Sequence, residues 1–230
     1  MKKIIFLLNC DTSIKIIFIF ILTKLKNIFL KRKIIEQKRN HQKKILSKKI
    51  TNDYFSSHSY NFYKLMNKIH KNFSYLEIGS FEGNSTIFVA NNFPQSKITC
   101  IDPWIKTEEY SNILNFKDLE KNFDENISEF KNIIKIKKTS DLFFKDNKER
   151  YDVIYVDGYH YGPQVLRDVK SSWNILKKDG YLICDDYIWD YYKKKEETPC
   201  YAINTFLKEI TREYSVMKVS NSQIFIRKLN

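Results

Sequence analysis

The sequence predicts an α/β fold in which a mostly parallel sheet of seven strands ends in an antiparallel hairpin and carries helices on both faces. Three observations support this prediction. From residue 73 onward, short runs rich in Ile, Val, Tyr and Phe alternate with longer segments of helical periodicity, as in βα units. The last two apolar runs are separated only by Ser220, Asn221 and Ser222, which suits a hairpin. With 230 residues, 43% of them hydrophobic, the chain can build one packed domain of ordinary size.

The elements are predicted in order along the chain. Apolar runs bounded by polar or turn-forming residues indicate strands, and apolar residues at steps of three and four indicate helices. The predicted strands are 74–78, 97–101, 133–136, 151–156, 180–184, 214–219 and 223–227. The predicted helices are 84–92, 116–130, 141–149, 162–176 and 202–211. Ligands of open α/β sheets bind beyond the carboxyl ends of the strands, so the residues that follow each strand are the functional candidates.

The positive charge of the chain is concentrated at its N-terminus. Residues 1–50 hold 14 lysines and arginines against Asp11 and Glu36, a net charge of +12, whereas the whole chain carries +13. Residues 51–230 hold 26 basic and 25 acidic residues and are therefore balanced. We predict a basic helical arm, residues 1–50, followed by a single domain, residues 51–230. A balanced domain disfavours a nucleic-acid substrate, because enzymes of that class need a basic surface beside the active site.

The N-terminal arm is too interrupted by charge to cross a bilayer, which requires about 20 apolar residues. A secretory signal peptide also fits poorly, because no small-residue cleavage site follows the first apolar run. Residues 14–35 interleave aliphatic and aromatic side chains with lysines, which predicts one amphipathic helix. This helix either lies on an anionic membrane surface or packs on the domain. The scattered cysteines, without a Cys-x-x-Cys pair, predict a reduced, cytoplasmic or membrane-peripheral protein.

The loop after the first predicted strand contains a Gly-x-x-x-Gly turn. It is formed by Gly79 and Gly83, and Glu77 lies two residues before it. A dinucleotide fingerprint would need glycine where Phe81 and Asn84 stand, and the Gly-Lys-Ser/Thr of a P-loop is absent from the sequence. The loop therefore suits a nucleoside without a diphosphate. The alternative is a tight turn that needs glycine for its backbone geometry alone.

A carboxylate follows the second predicted strand at Asp102, 23 residues beyond Gly79. An acid at this position can accept hydrogen bonds from both hydroxyl groups of a ribose. Pro103 and Trp104 come directly after it and offer an apolar wall for an adenine ring. By itself the Asp-Pro pair is more often a simple turn, but together with the glycine loop it predicts a nucleoside site.

On these residues the sequence resembles the class I S-adenosylmethionine-dependent methyltransferases, over about residues 73–228. The resemblance implies a Rossmann-like sheet and the cofactor S-adenosylmethionine. It places Gly79, Phe81 and Ser85 beside the methionine part and Asp102 at the ribose. It also places Ser140 and Asp141, after the third strand, near the adenine edge, although Thr-Ser-Asp is equally a common helix N-cap. The full predicted cofactor set is Glu77, Gly79, Phe81, Gly83, Ser85, Asp102, Pro103, Trp104, Ser140, Asp141 and Asp157.

Three aspartates follow the fourth and fifth predicted strands. Asp157 ends one strand, and Asp185 with Asp186 ends the next, so the three carboxylates converge if the strands are neighbours. Carboxylates that lie close together repel unless protons or a cation offset their charge. Oxygen ligands favour a hard divalent cation, most plausibly Mg²⁺. The alternative is that Asp157 caps the following helix while Asp185 and Asp186 face solvent.

These aspartates resemble the metal ligands of cation-dependent O-methyltransferases, and the Asp185-Asp186-Tyr187 form resembles the group that methylates sugars of macrolides and aminocoumarins. Members of that group commonly carry an acid where this chain has Tyr159. His160 follows and is the predicted general base, with Asp157 beside it; the alternative is a histidine that only hydrogen-bonds backbone. Segments 106–116 and 187–201 are predicted to select the acceptor.

The predicted reaction is transfer of the sulfonium methyl group to a hydroxyl group of a small molecule or sugar, assisted by Mg²⁺. Two alternatives remain open at this point. One is a protein that binds the cofactor without methyl transfer, since one fold hosts many functions. The other is a nucleic-acid methyltransferase, which the balanced charge of residues 51–230 disfavours.

Overall fold

The computed structural model describes residues 2–106 and 116–230. Residues 107–115, most of the first predicted acceptor segment, lie outside the described residues. The helices are α1 (Lys2–Asn9), α2 (Ile14–Phe29), α3 (Lys31–Lys44), α4 (Ser59–Met66), α5 (Asn84–Asn92), α6 (Leu119–Ile127), α7 (Ser140–Asp146), α8 (Gly162–Ile175) and α9 (Pro199–Glu209). The strands are β1 (Ser74–Ile78), β2 (Lys97–Ile101), β3 (Ile133–Ile136), β4 (Tyr151–Val156), β5 (Leu176–Cys184), β6 (Tyr214–Val219) and β7 (Ile224–Lys228).

The strands confirm the predicted fold class. Their order in the sheet is β3-β2-β1-β4-β5-β7-β6, with antiparallel pairing only at β7 and β6 among the described pairs. The chain divides into two compact units, which we call the central unit (residues 30–139) and the terminal unit (residues 2–29 and 140–230). The predicted division at residue 50 stays a prediction. Among the described residues, none of the helices combines the length and apolarity required to cross a bilayer.

The central unit is built on the parallel strands β1, β2 and β3. Ile78 at the end of β1 pairs with Ile101 at the end of β2, so the loops after both strands begin at the same level. Apart from their first residues, β1 and β2 are buried, as expected for central strands of a parallel sheet, whereas β3 is only partly buried and its Ile134 is exposed. Outside the strands, His41 of α3 is buried edge-on against Phe55 and Phe88. Burial lowers the pKa of His41, which therefore stays neutral at pH 7.

Glu82, inside the loop after β1, is a fully buried carboxylate of the central unit. It accepts hydrogen bonds from the backbone amide of Thr51 (2.6 Å), the Thr51 hydroxyl (2.5 Å) and the Asn122 amide (2.9 Å). Buried carboxylates are tolerated when their oxygens are hydrogen-bonded in this way. Glu82 therefore fixes Thr51 and α6 beside the loop that follows β1.

The terminal unit joins the two ends of the chain. Parallel β4 and β5 are extended by the antiparallel hairpin β6–β7, and α2 packs on β6 through the buried side chains of Ile16, Ile17 and Phe20. The Asn204 side chain donates hydrogen bonds to the Cys10 carbonyl and the Thr12 hydroxyl, both at 2.8 Å. Residues 2–29 thus contribute to the core of this unit, while another face of α2 stays exposed.

Several element boundaries differ from the predicted ones, including both ends of α6, α7 and α9 and the ends of β7. The predicted helix over residues 14–35 is interrupted at Leu30, whose backbone (φ −94°, ψ 2°) is not helical, so α2 and α3 are separate. Strand β5 begins at Leu176 rather than residue 180, directly after α8. Helix α9 begins at Pro199 because the Thr198 hydroxyl accepts the Tyr201 amide as an N-cap.

Candidate active site

The loop after β1 is a tight turn that passes through three residues of left-handed backbone. Gly79 (φ 86°) and Gly83 (φ 81°) adopt this conformation without a Cβ penalty, whereas Phe81 (φ 48°) does so at a cost. A Cβ atom on Gly83 would come within 3.1 Å of the Phe123 ring. Glycine is therefore required at position 79 for its backbone conformation. At position 83 it is required both for its backbone conformation and because a side chain would contact Phe123.

Asp102 holds this turn from the end of β2. Its Oδ2 atom accepts the Phe81 amide at 3.0 Å and its Oδ1 atom accepts the Trp104 amide at 2.7 Å. Burial raises the pKa of Asp102, and the backbone amides of Phe81, Trp104 and Ser80 act in the opposite direction. Each carboxylate oxygen has a second lone pair, so two further donors can still be accepted. Asp102 therefore holds the Phe81 turn and keeps acceptor capacity for a ligand with two hydroxyl groups.

Trp104 is locked against the same turn. Its indole Nε1 donates to the Phe81 carbonyl at 2.9 Å, and its ring lies 5.0 Å, centroid to centroid, from Phe123. The Lys135 ammonium lies 4.7 Å from the Trp104 ring centroid, a cation–π arrangement. Pro103 and Trp104 are both partly exposed. The indole is thus rigidly placed, and its exposed part is an apolar surface next to Asp102.

Glu77 lies deeper than the other predicted cofactor residues. Its side chain is fully buried and accepts the Tyr75 hydroxyl at 2.8 Å and the Thr86 hydroxyl at 2.6 Å. The Ser85 hydroxyl also stabilises its charged form, while burial raises the pKa of Glu77. Glu77 and Ser85 therefore connect β1 to α5 from the interior and support the loop from below.

Ser140 and Asp141, which resemblance placed near the adenine edge, begin α7 in the terminal unit. The Gln164 amide of α8 lies within hydrogen-bond distance of Ser140 (3.2 Å), Asp141 (3.4 Å) and Asp168 (3.0 Å). Asp168 is only 2% exposed, and burial raises its pKa to about 6. Asp168 was not among the predicted site residues, although an acid on the inner face of an amphipathic helix is a signal for a functional or structural role.

Asp168 makes the stability of the protein depend on pH. Its folded-state pKa is raised, so the folded state holds a proton that the unfolded state releases, and the stability contribution falls as pH rises from about 4 to about 6. We expect Asp168→Asn to gain stability relative to wild type by roughly 1–3 kcal/mol between pH 4 and pH 7. Urea unfolding of both proteins at the two pH values measures this difference. A constant difference would contradict the assignment, and Asp118→Asn, at an exposed aspartate, is the control.

The aspartates at the ends of β4 and β5 lie together in the terminal unit. Asp157 and Asp185 follow the paired residues Val156 and Cys184. The buried Tyr155 hydroxyl lies within hydrogen-bond distance of both carboxylates, 2.8 Å from Asp157 and in contact with Asp185, and its single proton is donated to one or the other. Burial, and then the charge of Asp185, raises the pKa of Asp157 to about 8. The two carboxylates therefore share a crowded position in which a positive charge would be stabilising.

His160 and Asp186 complete this group. His160 Nε2 lies 3.0 Å from Asp186 Oδ2 and 3.5 Å from Asp157 Oδ1, and its ring packs edge-on against Trp189. One donor atom from each of Asp157, His160 and Asp186 lies within 4.8 Å of the others. This donor set, two carboxylates and an imidazole, fits a divalent cation. We call these three residues the acidic cluster.

Asp185 has different partners from the other predicted metal ligands. Its Oδ1 atom accepts the Asp186 amide at 2.8 Å, and its Oδ2 atom accepts the Gln223 side-chain amide at 2.7 Å as well as the Tyr155 hydroxyl. These contacts suit a residue that orients the turn containing Asp186. Neither Tyr155 nor Gln223 was predicted as a site residue from the sequence. Tyr155 could have been found from the two-residue period of a strand, which places it on the same face as Asp157.

Aromatic side chains surround the acidic cluster within the second predicted acceptor segment. The Trp189 and Tyr191 rings are stacked at 4.9 Å, and Tyr192 lies edge-on to both. Tyr161, at the start of α8, packs against Tyr192. Tyr191 is largely exposed, so this segment presents a planar aromatic surface beside His160.

Comparisons with known proteins agree with this geometry. A family model for a methyltransferase domain matches residues 76–187, from β1 to the turn after β5. An uncharacterized protein of Acanthamoeba polyphaga mimivirus is 27% identical over 146 residues. That match covers 60% of this chain and 60% of the viral protein, so less than two thirds of either is spanned.

Solved structures share the fold at low sequence identity. The O-methyltransferase TomG from Streptomyces achromogenes, solved in complex with S-adenosylmethionine, is 10% identical and matches 95% of this chain and 100% of TomG with a TM-score of 0.58. A protein named as an rRNA methylase from Clostridium thermocellum is 12% identical and matches 74% of this chain and 96% of its own, with a TM-score of 0.56. Identities this low show the fold and not the acceptor. The strand order and these comparisons together show that the chain has the Rossmann-like fold of class I, S-adenosylmethionine-dependent methyltransferases, and that residues 76–187 match a methyltransferase-domain family.

Proposed function

We propose that the protein transfers the methyl group of S-adenosylmethionine to a hydroxyl group of a small molecule or sugar, with a divalent cation at the acidic cluster. The observation that carries this proposal is the grouping of Asp157, His160 and Asp186 at the ends of β4 and β5, in a domain of methyltransferase fold. Because a bound cation lowers the pKa of a coordinated hydroxyl group, this donor set favours transfer to oxygen.

The cofactor is assigned to residues of the central unit. Asp102 would accept the ribose hydroxyls through the lone pairs that its two backbone bonds leave available. The exposed part of Trp104 would pack against the adenine ring, and the Gly79–Gly83 turn would allow close approach of the backbone. Ser140 and Asp141 remain proposed neighbours of the adenine edge. When bound, S-adenosylmethionine supplies an electrophilic methyl group.

The cation is assigned to Asp157 and Asp186, whose carboxylates lie on either side of His160 Nε2. Their fit to a cation rests on the donor atoms and on the raised pKa of Asp157, since a positive charge would relieve the repulsion with Asp185. A divalent cation supplies Lewis acidity that lowers the pKa of a coordinated hydroxyl group. Oxygen ligands favour Mg²⁺, and participation of the imidazole would shift the preference toward Mn²⁺.

His160 is the proposed proton acceptor. Its Nε2 atom lies among the carboxylates, and its edge-on contact with Trp189 fixes the ring. Histidine is suited to accept a proton near neutral pH, and the adjacent carboxylates would stabilise the imidazolium that results. The stacked rings of Trp189 and Tyr191 offer a flat, partly apolar surface, which suits the ring of a sugar or a phenol.

Transfer of label from tritiated S-adenosylmethionine tests the proposal directly. The purified full chain is incubated with panels of sugars and phenols, with RNA, and with or without EDTA. We expect label in hydroxylated small molecules and a loss of at least about tenfold when the cation is removed. Label in RNA alone would support a nucleic-acid methyltransferase instead. Binding of the cofactor by calorimetry without transfer to any acceptor would support a binding protein without this activity.

A further inference from the structure

The exposed face of α2 carries a continuous apolar stripe. Its members follow one another at alternate steps of four and three residues, which places them on one side of a helix. Their exposure ranges from 39% for Ile21 to 82% for Ile14. We call this set the α2 stripe; it consists of Ile14, Phe18, Ile21, Leu25 and Ile28.

The α2 stripe is not required by the core of the terminal unit. The buried side of α2 is formed by other residues, chiefly Ile16, Ile17 and Phe20, which face β6. In α1, Ile5 and Leu8 are also more than half exposed, whereas Leu7 is buried. Exposed apolar sets of this extent mark sites of interaction with another protein or with a membrane.

Lysines border the α2 stripe on both sides, which favours an anionic partner. On a helical projection Lys15 and Lys26 lie on one border of the stripe and Lys24 on the other. The one acidic residue of residues 2–29 is Asp11, whose carboxylate already lies 3.3 Å from the Lys195 ammonium. An anionic lipid surface complements an apolar stripe bordered by lysines, which extend their ammonium groups toward phosphates.

A second copy of the chain fits the same surface less well. Two α2 stripes in contact would bring the bordering lysines of both copies together, without acidic residues of the segment to pair with them. Crossing of the bilayer is also unsuited to this helix, because 16 residues extend about 24 Å and the hydrocarbon layer is about 30 Å thick.

We infer that α2 docks the protein on an anionic membrane surface, with the α2 stripe inserted at the boundary between headgroups and acyl chains and with Lys15, Lys24 and Lys26 at the phosphate level. This contact is independent of the proposed methyl transfer. It places the protein where lipid-anchored or membrane-bound hydroxyl groups are accessible.

Flotation with vesicles tests this inference on the full chain. We expect the wild-type protein to float with vesicles of phosphatidylcholine and phosphatidylglycerol at low salt, and to float less at high salt. It should not float with phosphatidylcholine alone. Phe18→Ser combined with Leu25→Ser should reduce the vesicle partition coefficient by at least about tenfold.

Matched control variants distinguish an effect of the α2 stripe on flotation from an effect of any change in surface hydrophobicity or charge. Leu142→Ser with Met217→Ser alters two exposed apolar residues of the same unit outside the stripe and should leave flotation unchanged. Lys15→Glu with Lys26→Glu should abolish flotation, whereas Lys178→Glu with Lys193→Glu should reduce it only slightly. Circular dichroism confirms the fold of each variant, which is expected to persist because the altered side chains are exposed.

Three results would overturn the inference. The first is failure of the wild-type protein to float with anionic vesicles. The second is equal flotation of the Phe18→Ser, Leu25→Ser variant and wild type. The third is a wild-type dimer in sedimentation velocity that this variant dissociates, together with absence of vesicle binding, which would assign the stripe to a second copy of the chain.

Discussion

Replacement of Asp102 by alanine is expected to weaken the binding of S-adenosylmethionine by at least about a hundredfold, because hydrogen bonds to a charged group contribute about 1.5–3 kcal/mol each and two ribose hydroxyls would lose theirs. The variant also removes the acceptor of the Phe81 and Trp104 amides. Phe81 then loses one of the hydrogen bonds that hold its left-handed backbone in place. The loss of contacts to the ligand and the loss of order in the loop both weaken the binding of S-adenosylmethionine.

Isothermal titration calorimetry with S-adenosylmethionine measures this effect, and Asp118→Ala, at an exposed aspartate of the same unit, is the control. Asp102→Asn separates the loss of ligand contacts from the loss of loop order. The asparagine carbonyl can still accept one of the two backbone amides, whereas its amino group cannot accept the other. We expect the asparagine variant to fold as wild type by circular dichroism and to bind at least about tenfold more weakly. Wild-type affinity in both variants would refute the ribose assignment.

The strands were predictable from sequence because each is a short apolar run with a polar boundary. Strands β1 to β4 begin and end at the predicted residues, and a parallel sheet requires such runs to be buried on both sides. The residues that follow them were therefore correctly located at the carboxyl ends of the strands. The interruption at Leu30 was not predictable, since the apolar and basic pattern of residues 14–35 continues through it.

The positions of the carboxylates in the sheet could be predicted from the sequence, but their hydrogen-bond partners could not. Asp185 and Asp186 are adjacent and chemically identical, yet Asp185 accepts Tyr155 and Gln223 whereas Asp186 lies against His160. This difference arises from the left-handed backbone of Asp186 (φ 49°), which turns successive side chains to different sides, and from the hairpin that brings Gln223 beside β5. Both depend on contacts between distant segments, which periodicity in a short window does not contain.

The surroundings of each carboxylate determine whether it supports the fold or is suited to bind a ligand. Glu77 and Glu82 are buried and hydrogen-bonded on both oxygens, so they hold loops in place. Asp102 combines two backbone bonds with remaining acceptor capacity. Burial, and then the charge of the neighbouring Asp185, raises the pKa of Asp157. In the last arrangement an added positive charge would also offset the repulsion between neighbouring carboxylates, which is why we propose the cation there.

Asp186→Ala is expected to reduce cation-stimulated methyl transfer to the level measured in EDTA, a loss of at least about tenfold, because it removes one of two proposed carboxylate ligands. Asp186 is the informative position, since its contact in the described structure is with His160, whereas Asp185 also supports Tyr155 and Gln223. Turnover is measured across a titration of Mg²⁺ and of Mn²⁺. Asp190→Ala, at an exposed aspartate four residues further along, should retain wild-type turnover.

His160→Gln distinguishes a proton acceptor from a metal ligand at the same cluster. If His160 accepts the proton, turnover should fall with both cations while the concentration of cation required for half-maximal activity stays unchanged. If the imidazole is a ligand, that concentration should rise, and more for Mn²⁺ than for Mg²⁺, because Mn²⁺ binds nitrogen more readily.

Full activity of Asp186→Ala in EDTA and in Mg²⁺ would eliminate the cation from the reaction. In that case the carboxylates around His160 would serve only to stabilise its protonated form, and the transfer would rest on the histidine alone.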